Sequence, residues 1–149
     1  MRDRKGMVAV EFALVAVPFF FLIANICEQG LIMLMDYSLQ RGTEAASRQI
    51  RINTPITQAE FRTSLCEAAL LLPNCEAALT VQVQSAESFG LLTDVSGEMF
   101  DPGEINSAVR VRATYRWRLI FFPSMSYLSN AADDRLYRII GVTVFRNEP

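Results

Sequence analysis

Two hydrophobic patterns divide the chain. Met7 to Val10 and Phe12 to Cys27 form an apolar run broken only by Glu11. A helix of about 21 residues spans roughly 30 Å, enough to cross the hydrocarbon core of a bilayer, so the run predicts one spanning helix. Beyond it the apolar positions become periodic: Leu31, Met35, Leu39, Gly42, Ala46 and Ile50 recur every three or four residues. That spacing predicts that the helix continues as an amphipathic rod to about Ile52 and stops at Asn53-Thr54-Pro55. Gly42 and Ala46 are small enough to admit a close neighbour. Thr57-Gln58-Ala59-Glu60 has the form of a capping box and opens a second helix, on which Phe61, Leu65, Ala69 and Leu72 keep helical spacing as far as Pro73.

From Leu79 the period falls to two. Leu79–Gln84, Val109–Leu119 and Arg138–Phe145 read as strands, the last with Ile140, Val142 and Val144 on one side. Residues 87–106, rich in glycine and acids, read as a surface loop, and 122–134 as a second connection. The fold class is therefore α+β: a long N-terminal helix and a small head of one short helix and an antiparallel sheet of two to four strands.

Charge orients the span. Arg2, Arg4 and Lys5 precede it, whereas Glu28 and Asp36 follow, so the positive-inside rule puts the N-terminus in the cytoplasm and the head outside. Cleavage as an ordinary secretory signal fits poorly, because Ala24-Asn25-Ile26 ends in a branched residue; a lipoprotein site at Cys27 fails in the same way. A third processing site lies before the apolar core, after Gly6.

Composition narrows the chemistry. Of 149 residues, 14 are Lys or Arg, 16 are Asp or Glu and none is His, a formal net charge of -2. No global attraction to nucleic acid follows from that balance, and nucleophile pairs or zinc motifs that need His are excluded. No catalytic residue, metal site, cofactor or small-molecule substrate is expected. Asp133-Asp134 and the acids of the 87–104 loop match no calcium-loop spacing. Cys27 reads as an apolar filler of the span; Cys66 and Cys75 lie in the exported part, where an oxidising compartment favours a disulfide over two buried thiols. Closing so short a loop contributes about 2–3 kcal/mol in the chain-entropy model. On the strand AVRVRATYRWRL, Arg110, Arg112, Arg116 and Arg118 share one face. That face is either a solvated sheet surface matched by acids on neighbouring strands, or a surface for an acidic partner such as another subunit or an anionic membrane.

Met1-Arg2-Asp3-Arg4-Lys5-Gly6 followed by Met7 and an apolar helix, with Glu11 at the fifth position after Gly6, resembles the start of type IV prepilins. Val-Ala-Val-Glu-Phe-Ala-Leu and the terminal Phe145-Arg146-Asn147-Glu148-Pro149 resemble, more specifically, the TadE-like pseudopilins of tight-adherence (Tad) pilus systems. Phe12 stands where a Tyr often follows the Glu in that group. The resemblance implies a pilin-like lollipop in four parts: a leader (1–6), a transmembrane helix (7–29), its soluble continuation (30–53) and a periplasmic α+β head (54–149). It implies a non-enzymatic minor pseudopilin of the bacterial inner membrane, cut after Gly6 by a prepilin peptidase and used in pilus initiation or assembly. Implied partners are that peptidase, the Tad assembly platform, another pseudopilin and the major pilin. Methylation of the new terminus accompanies cleavage in some of these systems.

A physical reason accompanies the spacing. A carboxylate in the hydrocarbon zone costs about 2.5 kcal/mol or more and needs a partner. Cutting after Gly6 removes three positive and one negative side chain, taking the formal charge from -2 to -4, and leaves an ammonium on Met7 one helical turn from Glu11. That ammonium can pair with Glu11 of the same chain or, as the resemblance implies, with Glu11 of a neighbour, setting its register. The alternative is an unprocessed single-pass anchor carrying a periplasmic scaffold or binding module, in which Glu11 snorkels to the interface beside Arg4 or Lys5. Pro18 loosens the helix or is simply tolerated there.

Overall fold

The computed structural model describes residues 5–52, 55–93, 97–120 and 136–148. The apolar run and the periodic stripe join into one helix, α1 (Lys5–Arg51), which includes Pro18. Much of its first half is exposed, including Phe12, Leu14, Val17 and Phe20. Its second half is packed. Met35, Leu39, Gly42, Ala46 and Ile50 are buried on one stripe, as the spacing predicts, whereas Leu31 is half-buried and its neighbour Ile32 is buried instead. Three hydroxyl residues share that buried side, Ser38, Thr43 and Ser47. Two of them return their hydrogen to the preceding turn, Thr43 Oγ1 to the Leu39 carbonyl (2.8 Å) and Ser47 Oγ to the Thr43 carbonyl (2.6 Å). Burial is thus tolerated without an orphaned donor.

The second helix, α2 (Gln58–Ala68), starts at the predicted capping box: Thr57 Oγ1 accepts from Glu60 N (3.3 Å), and Glu60 Oε2 accepts from Thr57 N (2.8 Å). Those bonds, the backbone one first, hold the Glu60 carboxyl below its ordinary value of 4.5. α2 ends about one turn earlier than its apolar spacing suggests. Ala69 leaves helical geometry, and Pro73 follows, so Leu72 is buried from a turn. Gly42 is what brings α2 against α1, since a Cβ there would lie 2.7 Å from the Ala69 Cβ and 2.9 Å from the Leu65 carbonyl. A four-residue helix, α3 (Cys75–Ala78), then leads into the sheet, so Cys75 opens a helix rather than sitting in a turn. Cys66 and Cys75 form the expected disulfide, with Cα atoms 5.7 Å apart.

Three strands make the sheet: β1 (Leu79–Ala86), β2 (Ala108–Arg118) and β3 (Leu136–Arg146), antiparallel in the order β1-β2-β3. The inward side of β2 supplies Val109, Val111, Ala113, Tyr115 and Trp117, all buried. Tyr115 donates its hydroxyl to the Pro73 carbonyl (2.7 Å), and burial pushes its pKa up. On β3, Ile140, Val142 and Val144 share one side, as the alternation predicts, and that side is the outer one. Those three are partly exposed on the outer side, while Ile139 and Gly141 face the helix. Gly141 is needed there: a Cβ would lie 2.7 Å from Thr43 Oγ1 and 3.3 Å from a Leu39 methyl-bearing carbon.

Both sheet edges are covered by groups that are not strands. Along β1, Val83 N donates to the Met99 carbonyl (2.8 Å) and Asp101 N to the Val83 carbonyl (2.9 Å). Along β3, the Gln40 amide donates to the Val142 carbonyl (3.2 Å) and accepts from Val142 N (3.1 Å). Such capping removes the unpaired backbone that would template further strands. The loop before β2 is exposed and contains a 3₁₀ turn (Phe89–Leu91). Residues 122–134, including Asp133-Asp134, lie outside the described residues.

Candidate functional site

The expected processing position lies in the first described turns of the rod. α1 begins at Lys5, so Gly6 and Met7 belong to its first turns, and Glu11 follows Met7 by four residues, about 6 Å along the axis. Met7 and Glu11 therefore share a helix face, the geometry the charge-pairing idea requires. Around them the rod is apolar on every side. It is one helix, among the described residues, long and apolar enough to cross a membrane, with an 18-residue window of mean hydropathy 2.2 of which none is buried. Cys27, a free thiol, is exposed on the same rod.

A second, unpredicted feature lies where that exposed rod ends. Glu28 is completely buried. Its Oε1 accepts from the Trp117 indole Nε1 (3.2 Å), and its Oε2 accepts from the backbone N of Ile120 (3.1 Å), among other interactions. The last residues of β2 are thereby fastened to the first packed turn of α1. Charge alone does not reveal this role. Position does: Glu28 precedes Ile32 by four residues and Met35 by seven, which puts it on the buried stripe.

At the far end the chain terminus is fastened too. Glu148 pairs with Arg51 (2.8 Å) and donates its backbone N–H to the Arg51 carbonyl (2.9 Å). Asn147, buried, donates through Nδ2 to the Pro102 and Glu104 carbonyls (2.9 and 3.1 Å). The terminal Phe-Arg-Asn-Glu run therefore has a structural use, tying β3 to the end of α1 and to the loop before β2.

The four arginines of β2 do share the outer face of the sheet, with Arg138 of β3 beside Arg116. Acids do not oppose them. Arg110 lies across from Gln84 and Val144, Arg112 from Gln82 and Val142, Arg116 from Arg138 and Arg118 from Leu136. Arg110 bonds Gln84 (3.0 Å) and the Thr93 carbonyl. Matching by cross-strand carboxylates, one of the two expectations for this face, does not occur in the register.

Among the described residues no group of three or more Cys, Asp or Glu side chains is placed to hold a metal. The sequence model of the TadE-like protein family matches residues 6–48, which cover the apolar rod and most of the packed half of α1. No curated protein and no solved structure matches the chain significantly.

Proposed function

We propose, from the TadE-like sequence of its stalk, that the chain is a minor pseudopilin of a Tad-type, type IV-like pilus. The apolar rod anchors it in the inner membrane, with the N-terminus cytoplasmic and the α+β head periplasmic. A prepilin peptidase cuts after Gly6, and the product acts in pilus initiation or assembly. The role is structural and non-catalytic.

One observation carries this: Met7 and Glu11 stand one turn apart on a helix whose most apolar 18-residue window is unburied among the described residues. Cutting after Gly6 would place an ammonium one helical turn from that carboxylate, which is costly to bury unpaired. A second feature supports packing against other subunits. Above the span, Met33, Leu34 and Tyr37 are exposed on the side of α1 away from the core, so an apolar strip continues past the membrane. Candidate partners are the peptidase, the assembly platform, another pseudopilin and the major pilin.

The alternative, an unprocessed anchor for a periplasmic scaffold or binding module, draws on the helical start at Lys5, which places the bond after Gly6 within helix. N-terminal analysis of the protein recovered from native membranes separates the two. Met7 as first residue is the expected result; a retained Met1 on functional molecules overturns the proposal. Glu11→Gln is expected to leave cleavage intact and abolish piliation, whereas normal pili would remove the charge-pairing account.

A further inference from the structure

The arginine face is not one surface but two, divided by height above the membrane. This rests on the anchoring part of the proposal above. The exposed apolar rod ends at Cys27, and Glu28 begins the packed half of α1. Ile120 N, 3.1 Å from Glu28 Oε2, fixes the end of β2 at that level. Arg118 lies two residues back along the strand, about 7 Å. Arg116 lies one step further, with Arg138 directly across from it. Arg138 also lines a cleft with Gln29, Met33 and Asp36, the first turns of the packed helix.

Arg112 is opposite Val142, which bonds Gln40. Gln40 is twelve residues above Glu28, about 18 Å along the axis. Arg110 is higher still. The headgroup layer is about 5–7 Å thick on each side of the hydrocarbon, and charges are screened over about 8 Å at physiological salt. Arg116, Arg118 and Arg138 therefore fall within reach of the headgroups, and Arg110 and Arg112 do not.

A second observation points the same way. Ile120, 54% exposed, follows Arg118 by two residues, at the end of β2 that Glu28 holds. An apolar tip at the hydrocarbon boundary with a cationic rim just above it matches the layering of a phospholipid interface. Arg116 and Arg118 are exposed and make no ion pair among the described residues, and Asp36 is the exposed acid of α1 at this height. Among the described residues the three arginines outnumber that acid.

We infer that Arg116, Arg118 and Arg138 form a membrane-proximal rim that binds the headgroups of anionic phospholipids and seats the head on the bilayer surface. Fastening of β2 to Glu28 holds that rim at a fixed height.

The test uses the full chain, one copy per nanodisc, in equimolar phosphatidylglycerol and phosphatidylcholine, with the lipids bound to the ejected protein identified by mass spectrometry. Bound lipid is expected to be enriched in phosphatidylglycerol by about fivefold or more, the contribution of a single arginine near a charged surface. Raising the salt to about 0.5 M should remove most of the enrichment. Arg116→Gln/Arg118→Gln/Arg138→Gln should lose it, and Arg110→Gln/Arg112→Gln should keep it. Equal enrichment in both variants, or none in the wild type, overturns the inference. So does a triple variant that keeps its lipids but loses association with a second copy at higher loading, which would assign the rim to a protein partner. Failure of the chain to enter the discs at all would count against the anchor itself, a separate result; the salt titration on wild-type protein does not depend on how well the variants fold.

Discussion

The two halves of α1 are one continuous helix with opposite requirements. Between Val8 and Cys27 the rod is apolar around its whole circumference and touches little of its own chain; from Glu28 to Arg51 it is apolar on one stripe and polar elsewhere. A helix hydrophobic all round is satisfied by lipid, whereas an amphipathic one needs a protein surface to cover its stripe. The same backbone thus serves as anchor below and as half of a domain core above. The head supplies the cover, with α2 at Gly42, β3 at Gly141 and the end of β2 at Glu28.

That contrast is open to direct attack. The largest effect should come from paired leucine truncations. Leu39, fully buried, should cost about 2–5 kcal/mol when replaced by Ala, since a cavity is left in the core. Leu14, 72% exposed, should leave head stability unchanged. Denaturant unfolding of the full chain in detergent, followed by the fluorescence of its single tryptophan, Trp117, measures both. Equal losses would mean that the halves are not independent.

Next in size is the junction. Glu28→Ala leaves the Trp117 indole and the Ile120 amide without this acceptor and should cost about 1–3 kcal/mol, with a shift in Trp117 emission. Glu28→Gln retains an acceptor and should cost less. If the two behave alike, the hydrogen bonds are not what fastens β2.

The glycines sharpen the comparison further. Gly42→Ala gains about 1 kcal/mol of helix propensity but forces a Cβ into Ala69 and the Leu65 carbonyl, so a net loss of up to about 2 kcal/mol is expected. Gly30→Ala meets nothing within 4 Å and should stabilise the helix by up to about 1 kcal/mol. Thermal melts of both variants test the signs.

The smallest effect is acid dependence at the α2 cap. The folded protein lowers the Glu60 pKa, so its contribution is present above the unfolded value of 4.5 and lost as pH falls through the lower folded value. The stability difference between wild type and Glu60→Gln should be constant from neutral pH to about 5 and shrink below 4.5. A difference that persists in acid would show that the capping carboxylate acts without its charge.

Legibility followed the range of the interaction. The span, the stripe from Leu31 to Ile50, the Thr57–Glu60 cap and three strands are local patterns, and each appears where periodicity puts it. The Cys66–Cys75 bond was readable too, because only a short loop separates two cysteines in a segment whose sequence reads as exported. Glu28 was within reach of the same stripe arithmetic, but a carboxylate after a membrane span invites a reading by charge and not by phase. The outward phase of Ile140, Val142 and Val144 was not readable, because both sides of β3 carry apolar residues and alternation alone does not choose between them.

By itself, then, the sequence determined the long apolar helix and the kind and order of the elements, since these depend on neighbours a few residues apart. Only the tertiary structure decided that β2 lies between β1 and β3, that Gln40 caps an edge, and that Asn147 and Glu148 secure the terminus. Those outcomes join residues as much as 102 positions apart, such as Gln40 and Val142, and no local rule sets a register until both surfaces exist to be packed.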